Sequence, residues 1–355
     1  MAHENSRFTT GSRLVFQGIG CKDLSTVAKG LISQAVVVLF HQTVDLAELK
    51  PLLTEFNIAK EVAPAENWEF GGPSLTVEYL PEVNGLVSVD IVNRQWPDHM
   101  GSPKDEVTLF GAWSMGWFGP FTWPGGLERA VQQSWSWPEA KNLVPTHNCF
   151  VRIRVSYVFG AAKDAKCLPE NYAPLPELEF ITSIASTLLM HPKSLCYFNP
   201  NGEALQTKVA LDEAVAFAGT QNIPPLNAWT NVRLFNVNPS WLLMDTIGNW
   251  QLDLPDHEAA FPADRFSPQE VSRWLRNISL YVFQRGRVIK DGDTMDGPGN
   301  IRWQGKAFSS GMCSPPREVI RWLPFGVADI PPALLGDKKI ETKVAKEKPS
   351  KWRFW

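Results

Sequence analysis

Apolar and polar positions alternate with a period of two at Leu75, Val77 and Tyr79 and again from Leu86 to Val92. The Asn84-Gly85 pair between these runs predicts a β-hairpin with a tight turn. Upstream, Ala35 to Phe40 is an unbroken apolar run of strand length. It is followed by Asp45-x-x-Glu48, a capping box for a helix carrying Leu46, Leu49, Leu52 and Leu53, with Pro51 kinking it or marking a later start. From Leu127 the apolar positions fall at 127, 130, 131 and 135, one face of a helix. Val151, Ile153, Val155 and Tyr157 then read as a buried strand.

The first half therefore reads strand, helix, strand, strand, helix, strand, the order of a ferredoxin-like unit. The second half offers a similar order. Pro176 to Met190 and Val209 to Ala218 are helical, Ser194 to Phe198, Asn231 to Val237 and Trp241 to Asp245 are strands, and Ser267-Pro268-x-Glu270 opens a helix with Val271, Trp274, Leu275, Ile278 and Tyr281 on its face. The expected fold is α+β, two ferredoxin-like (βαββαβ) halves in tandem with antiparallel sheets. The expected division is 1–30 as an N-terminal arm, 31–165 and 166–325 as the halves, and 326–355 as a linker and basic aromatic tail.

Five of the fifteen Trp, at 113, 117, 123, 135 and 137, fall within 25 residues. This stretch belongs in a core, so Trp135 is expected to be substantially buried against Leu127 and Val131. Its order of Pro120, Trp123, a short helix, Ser134-Trp135-x-Trp137-Pro138-x-Ala140, then His147 before an apolar strand resembles the bacterial family catalogued as domain of unknown function 4261. The resemblance runs from about Ala35 to about Leu323. It implies no established activity; some members look like companions of secretion and toxin systems, which implies a candidate role of that kind.

Composition is ordinary for a globular protein, with 44% hydrophobic and 20% charged residues. A net charge of −3 gives no basic footprint for nucleic acid. Residues 337–355 carry seven Lys/Arg against three Asp/Glu, which leaves the first 336 residues at about −7. Five widely spaced Cys without a Cys-x-x-Cys argue against a disulfide framework and a structural zinc site. No secretory signal and no spanning apolar stretch is read, so the expected address is a bacterial cytoplasm.

Candidate chemistry is sparse. Asp253-x-x-Asp256-His257-Glu258 groups three carboxylates and an imidazole, a composition suited to a metal or an acid/base pair, in a segment that Pro255 makes a loop. A solvated acidic turn is its ordinary alternative. His99, after a strand in Trp96-Pro97-Asp98-His99, could meet His147 or Asp256 in space, and His147 with Cys149 could share a face. Asp291 starts an apparent calcium loop that fails at positions six and twelve, occupied by Asp296 and Arg302. Phosphate-loop, dinucleotide, GxSxG and HExxH signatures are absent. The tail places Trp352, Phe354 and Trp355 among basic residues and is expected to dock on its own body or on a partner.

Two functions follow as expectations. One is a non-enzymatic protein-binding module, immunity-like or a secretion/toxin-system accessory, with a protein partner, no metal and no cofactor. The other is a hydrolase or metal-dependent enzyme built on His99, His147, Asp256, His257 and Glu258.

Overall fold

A computed structural model describes residues 29–64 and 68–336 and the strand at 343–344. The N-terminal arm up to residue 28 and the tail residues Trp352, Phe354 and Trp355 lie outside the described residues. Among the described residues, fourteen strands form two seven-stranded sheets. The first contains β1 (Gln34–Phe40), β2 (Ile58–Val62), β3 (Ser74–Leu80), β4 (Gly85–Val92), β5 (Cys149–Ser156), β6 (Ser194–Asn199) and β7 (Ala204–Gln206). Their spatial order is 2-3-4-5-1-6-7, antiparallel throughout.

The second contains β8 (Asn231–Asn238), β9 (Trp241–Ile247), β10 (Asp256–Pro262), β11 (Thr294–Gly297), β12 (Ile301–Phe308), β13 (Val319–Pro324) and β14 (Lys343–Val344). The order there is 11-12-13-10-9-8-14. Only β10 and β13 run parallel. Among the described residues no helix is long and apolar enough to cross a membrane.

The mixed α+β class is as expected, but the strand order of the first sheet is not ferredoxin-like. That fold needs the first strand of its unit between the third and the fourth, reached through crossover helices. Here the link after β1 is one helical turn, Leu46–Leu49, running into the 3-10 turn Lys50–Leu53 with Pro51 at its start. So short a link cannot lie along the sheet as a crossover. Instead β5 stands between β4 and β1, and β1 has β6 on its other side. The capping box itself forms, Asp45 accepting from the Glu48 N–H at 2.9 Å and Glu48 accepting from the Asp45 N–H at 3.3 Å.

The hairpin β3–β4 forms with Asn84 in the left-handed region at φ 57°, a conformation Asn tolerates better than most residues. Alternation decides what each face of the first sheet meets. Val36, Val38, Leu75, Val77, Val87, Val89, Ile153 and Val155 enter the main core. It also receives Leu178, Ile181, Ile184 and Leu188 from the helix Pro174–Leu188, and Val271, Leu275, Ile278 and Val282 from Pro268–Arg285. Val282 takes the place expected for Tyr281, which is exposed. Glu270 does not close a capping box; its carboxylate accepts from the Gly299 N–H at 3.1 Å.

Behind β1 the aromatic stretch forms a second layer. Trp96 is its centre, with Trp113, Phe118, Phe150 and Phe198 at ring distances of 6.1, 5.2, 5.2 and 5.5 Å. The helix Gly126–Gln132 buries Leu127 and Ala130 in this layer. Trp135 does not join them. The helix ends before it, and its ring, half-buried, packs on the main core instead. Trp135→Ala is therefore expected to cost about 1–2 kcal/mol, below the range for a fully buried Trp. Urea unfolding of the variant measures it; a loss above about 3 kcal/mol would contradict the half-buried placement.

Candidate functional site

Asp256, His257 and Glu258 are neither loop nor solvated. Pro255 stands just before β10, where its missing N–H leaves no ladder bond unmade, and the three residues that follow are fully buried on that strand. Alternation sends Asp256 and Glu258 to one face and His257 to the other. Asp256 accepts from Arg317 Nε at 3.0 Å, Thr246 Oγ1 at 2.9 Å and the Asn249 N–H at 3.1 Å. Glu258 accepts from Arg321 Nε at 2.7 Å and the Met312 N–H at 2.6 Å. His257 Nδ1 accepts from Trp322 Nε1 at 3.4 Å, and burial pushes its pKa down to about 3.

Asp256 is one end of a buried ionic chain. Arg317 also reaches Asp245 at 2.6 Å, Asp245 meets Arg233 at 2.5 Å, Arg233 meets Glu203 at 2.7 Å, and Glu203 meets Arg129 at 2.6 Å. Burial alone would raise the Asp245 carboxyl, but Arg233 and Arg317 outweigh it and hold the group below the usual carboxylate range. Three guanidinium groups face three carboxylates, so the chain is neutral. It also joins the sheets, because Glu203 comes from the β6–β7 turn, at φ 47°, and Arg233 from β8. Such a neutral, hydrogen-bonded set has the chemistry of a structural clamp.

The two other candidate histidines are committed elsewhere. His147 is buried, accepts the Trp96 N–H on Nε2 at 2.8 Å and donates from Nδ1 to the Val144 carbonyl at 2.6 Å. Desolvation lowers its pKa against that carbonyl bond. Cys149, at the start of β5, has its thiol pushed up to about 11 by burial, so it is no ready nucleophile. His99 is exposed, 3.0 Å from Glu106. Its neighbour Asp98 accepts the N–H groups of Leu127 and Glu128 at 3.0 and 2.7 Å, anchoring the start of Gly126–Gln132. Among the described residues no three His, Cys, Asp or Glu gather as a metal-ligand set.

The apparent calcium loop is turn chemistry. Asp291 accepts from the Ala307 N–H and Asp293 from the Lys290 N–H, each at 2.8 Å, ahead of the hairpin β11–β12. A further group with displaced titration lies under the helix Pro174–Leu188. There Glu177, fully buried and accepting from Tyr157, is pushed up to about 7 by desolvation, and buried Lys29 pairs with Asp253 at 3.2 Å.

Two sites escaped the sequence reading. One is the set of buried arginines, Arg152, Arg154, Arg233, Arg317 and Arg321. The signal was available at 151–155, where Val-Arg-Ile-Arg-Val alternates and puts both guanidinium groups on the face opposite the core. The other is a groove of about 570 Å³ between the helices Pro174–Leu188 and Lys208–Gln221. Its walls are Val215, Ala218, Ile223 and Pro225 with Trp229 beneath, and Glu179 and Asp212 stand among them. Val215 is 42% exposed, and Val209 and Phe217 elsewhere on that helix are exposed as well. Asp212 already holds Lys208 and Ser186. Glu179 has no ion-pair partner among the described residues, and desolvation raises its pKa.

No curated protein and no solved structure matches the chain. A family model does match, over residues 245–323, which run from within β9 to β13 and carry Asp245, Asp256, Glu258, Arg317 and Arg321. The aromatic motif at 120–147 lies outside that segment, although the segment ends where the resemblance was expected to end. Residues 245–323 match the model of the family described as Domain of unknown function (DUF4261), the family that the sequence resembles.

Proposed function

We propose that the chain is a non-enzymatic protein-binding module of a bacterial cytoplasm, immunity-like or an accessory of a secretion or toxin system. The observation that carries this reading is the groove beside Lys208–Gln221. Exposed Val215 and half-buried Ile223, beside a half-buried carboxylate with no ion-pair partner among the described residues, suit an amphipathic segment that lays apolar side chains against these two and sets a Lys or Arg on Glu179. The body's charge of about −7 supports a cationic partner, since complementary fields speed encounter. The hydrolase alternative is disfavoured because Asp256 and Glu258 already hold arginines and neither His99 nor His147 is free of other bonds.

Val215→Glu tests the reading, because that position is exposed enough to accept a charge without unfolding the helix. Affinity capture from the native host, read by mass spectrometry, should recover a basic partner with the native protein and lose it with the variant. Equal recovery on both would remove the groove from the account.

A further inference from the structure

We propose that the open face of the first sheet is a binding site for a small oxyanion carried on a flat apolar ring. The register builds it. Lys60 faces Thr76, Thr76 faces Ser88, and Ser88 faces Arg154, so one polar row crosses β2, β3, β4 and β5. The next row runs Val62, Ser74, Asp90, Arg152. Side chains alternating with these enter the main core, so the rows point the other way. Of the aromatic layer that seals β1 and β6, Trp68 and Trp117 line this region. A cavity of about 370 Å³ is left between them and the rows. That size is in the range of small-ligand pockets.

Charge sets the ligand class. Arg152 and Arg154 are both buried, and both depend on one carboxylate: Arg152 Nε donates to Asp90 Oδ2 at 3.1 Å and Arg154 Nη2 lies 2.9 Å from Asp90 Oδ1. The ionic chain of the second sheet matches three guanidinium groups with three carboxylates, whereas here two share one. Burial pushes Arg154 down to about 9, and Asp90 offsets that only in part. Donors are in excess as well. Arg154 Nε and the indole N–H groups of Trp68 and Trp117, three residues that line the cavity, have no acceptor among the described residues. Buried donors are rarely left so, and an ionised carboxylate or phosphate is a pure acceptor that would satisfy them.

The walls set the rest of the ligand. Trp68 and Trp117 stand edge to face with centroids 6.0 Å apart, and Arg154 lies 4.6 Å over the Trp117 ring. Ring faces beside a guanidinium favour a planar apolar body attached to the anion. Exposed Lys60 at the rim adds a second positive charge on the approach.

Calorimetric titration of the full chain with benzoate, phenyl phosphate and neutral benzyl alcohol tests the site. One or both anions should bind with a dissociation constant below about 1 mM, and benzyl alcohol at least about tenfold more weakly. Binding of benzoate alone or of phenyl phosphate alone identifies the oxyanion as carboxylate or phosphate. Arg154→Met should weaken the anion about tenfold or more. Because that residue is buried, Thr76→Phe, at a half-exposed position on the same row, provides a second variant that fills the cavity while suiting a strand. It should abolish binding with an unchanged melting temperature. The proposal is overturned if neither anion binds, if benzyl alcohol binds as well as they do, or if Thr76→Phe binds like the native chain.

Discussion

Replacing Asp245 with alanine is expected to destabilise the protein by about 3–5 kcal/mol, because Arg233 and Arg317 lose the carboxylate they share and three guanidinium groups are left facing two carboxylates. All three side chains are fully buried, and water does not replace the lost carboxylate. Such a loss is a large share of the roughly 5–15 kcal/mol that holds a typical domain together. Denaturant unfolding reads it directly as a lowered midpoint. Asp245→Asn, which keeps the shape and one acceptor, should lose less. Replacing Arg233, Asp245, Arg317 and Asp256 together by apolar residues should recover part of the loss, since Glu203 keeps Arg129 and no member of the chain is then left without a counter-charge. A fall below about 1 kcal/mol in Asp245→Ala would show that the chain of charges does not clamp the sheets.

His257 should make the fold lose stability on mild acidification. Its native pKa is depressed to about 3 by burial, while the unfolded side chain keeps the ordinary value of 6.5. Below pH 6.5 the unfolded state therefore binds a proton that the native state refuses. Stability is fully present above 6.5 and falls as pH drops toward 3. At about 1.4 kcal/mol per unit, the loss is roughly 2 kcal/mol by pH 5 and continues toward 3. Glu177, raised to about 7, opposes this loss in the same interval and buried His147 adds to it, so the His257 share is read as the difference in slope between the native chain and His257→Leu. His257→Leu should flatten the slope there, despite leaving Trp322 Nε1 without its acceptor. Equal slopes for the native chain and His257→Leu between pH 6.5 and pH 5 contradict the buried neutral imidazole.

Much of the local structure was legible because its causes are local. The hairpin at 74–92 follows from alternation and Asn84-Gly85, and the helices at 174–188 and 268–285 follow from their apolar spacing. Strand order was not legible, because it depends on how far a connection reaches. The run of helical signal after Asp45 hid a single turn too short for a crossover.

The acidic segment at 253–258 misled for a similar reason. Its carboxylates look solvated until their partners are known, and Arg317 and Arg321 lie 61 and 63 positions downstream of Asp256 and Glu258. Nothing within a window of a helix or a strand announces such a pairing. Arg152 and Arg154 are the opposite case. Their alternation with Val151, Ile153 and Val155 already placed them on one face, opposite the core, with Ser88 and Asp90 of the neighbouring strand. The groove beside Lys208–Gln221 required the tertiary structure, since its walls come from two helices and the turn after them.

Binding of a designed Leu/Lys amphipathic peptide, followed by fluorescence anisotropy, tests the protein-binding account most directly. The native chain should bind the peptide saturably, and more weakly as salt rises, because part of the attraction is between peptide ammonium groups and Glu179. Val215→Glu and Glu179→Lys should each weaken binding about tenfold without altering the circular dichroism spectrum. Equal affinity across the three proteins, or no saturable binding by the native chain, would contradict the account.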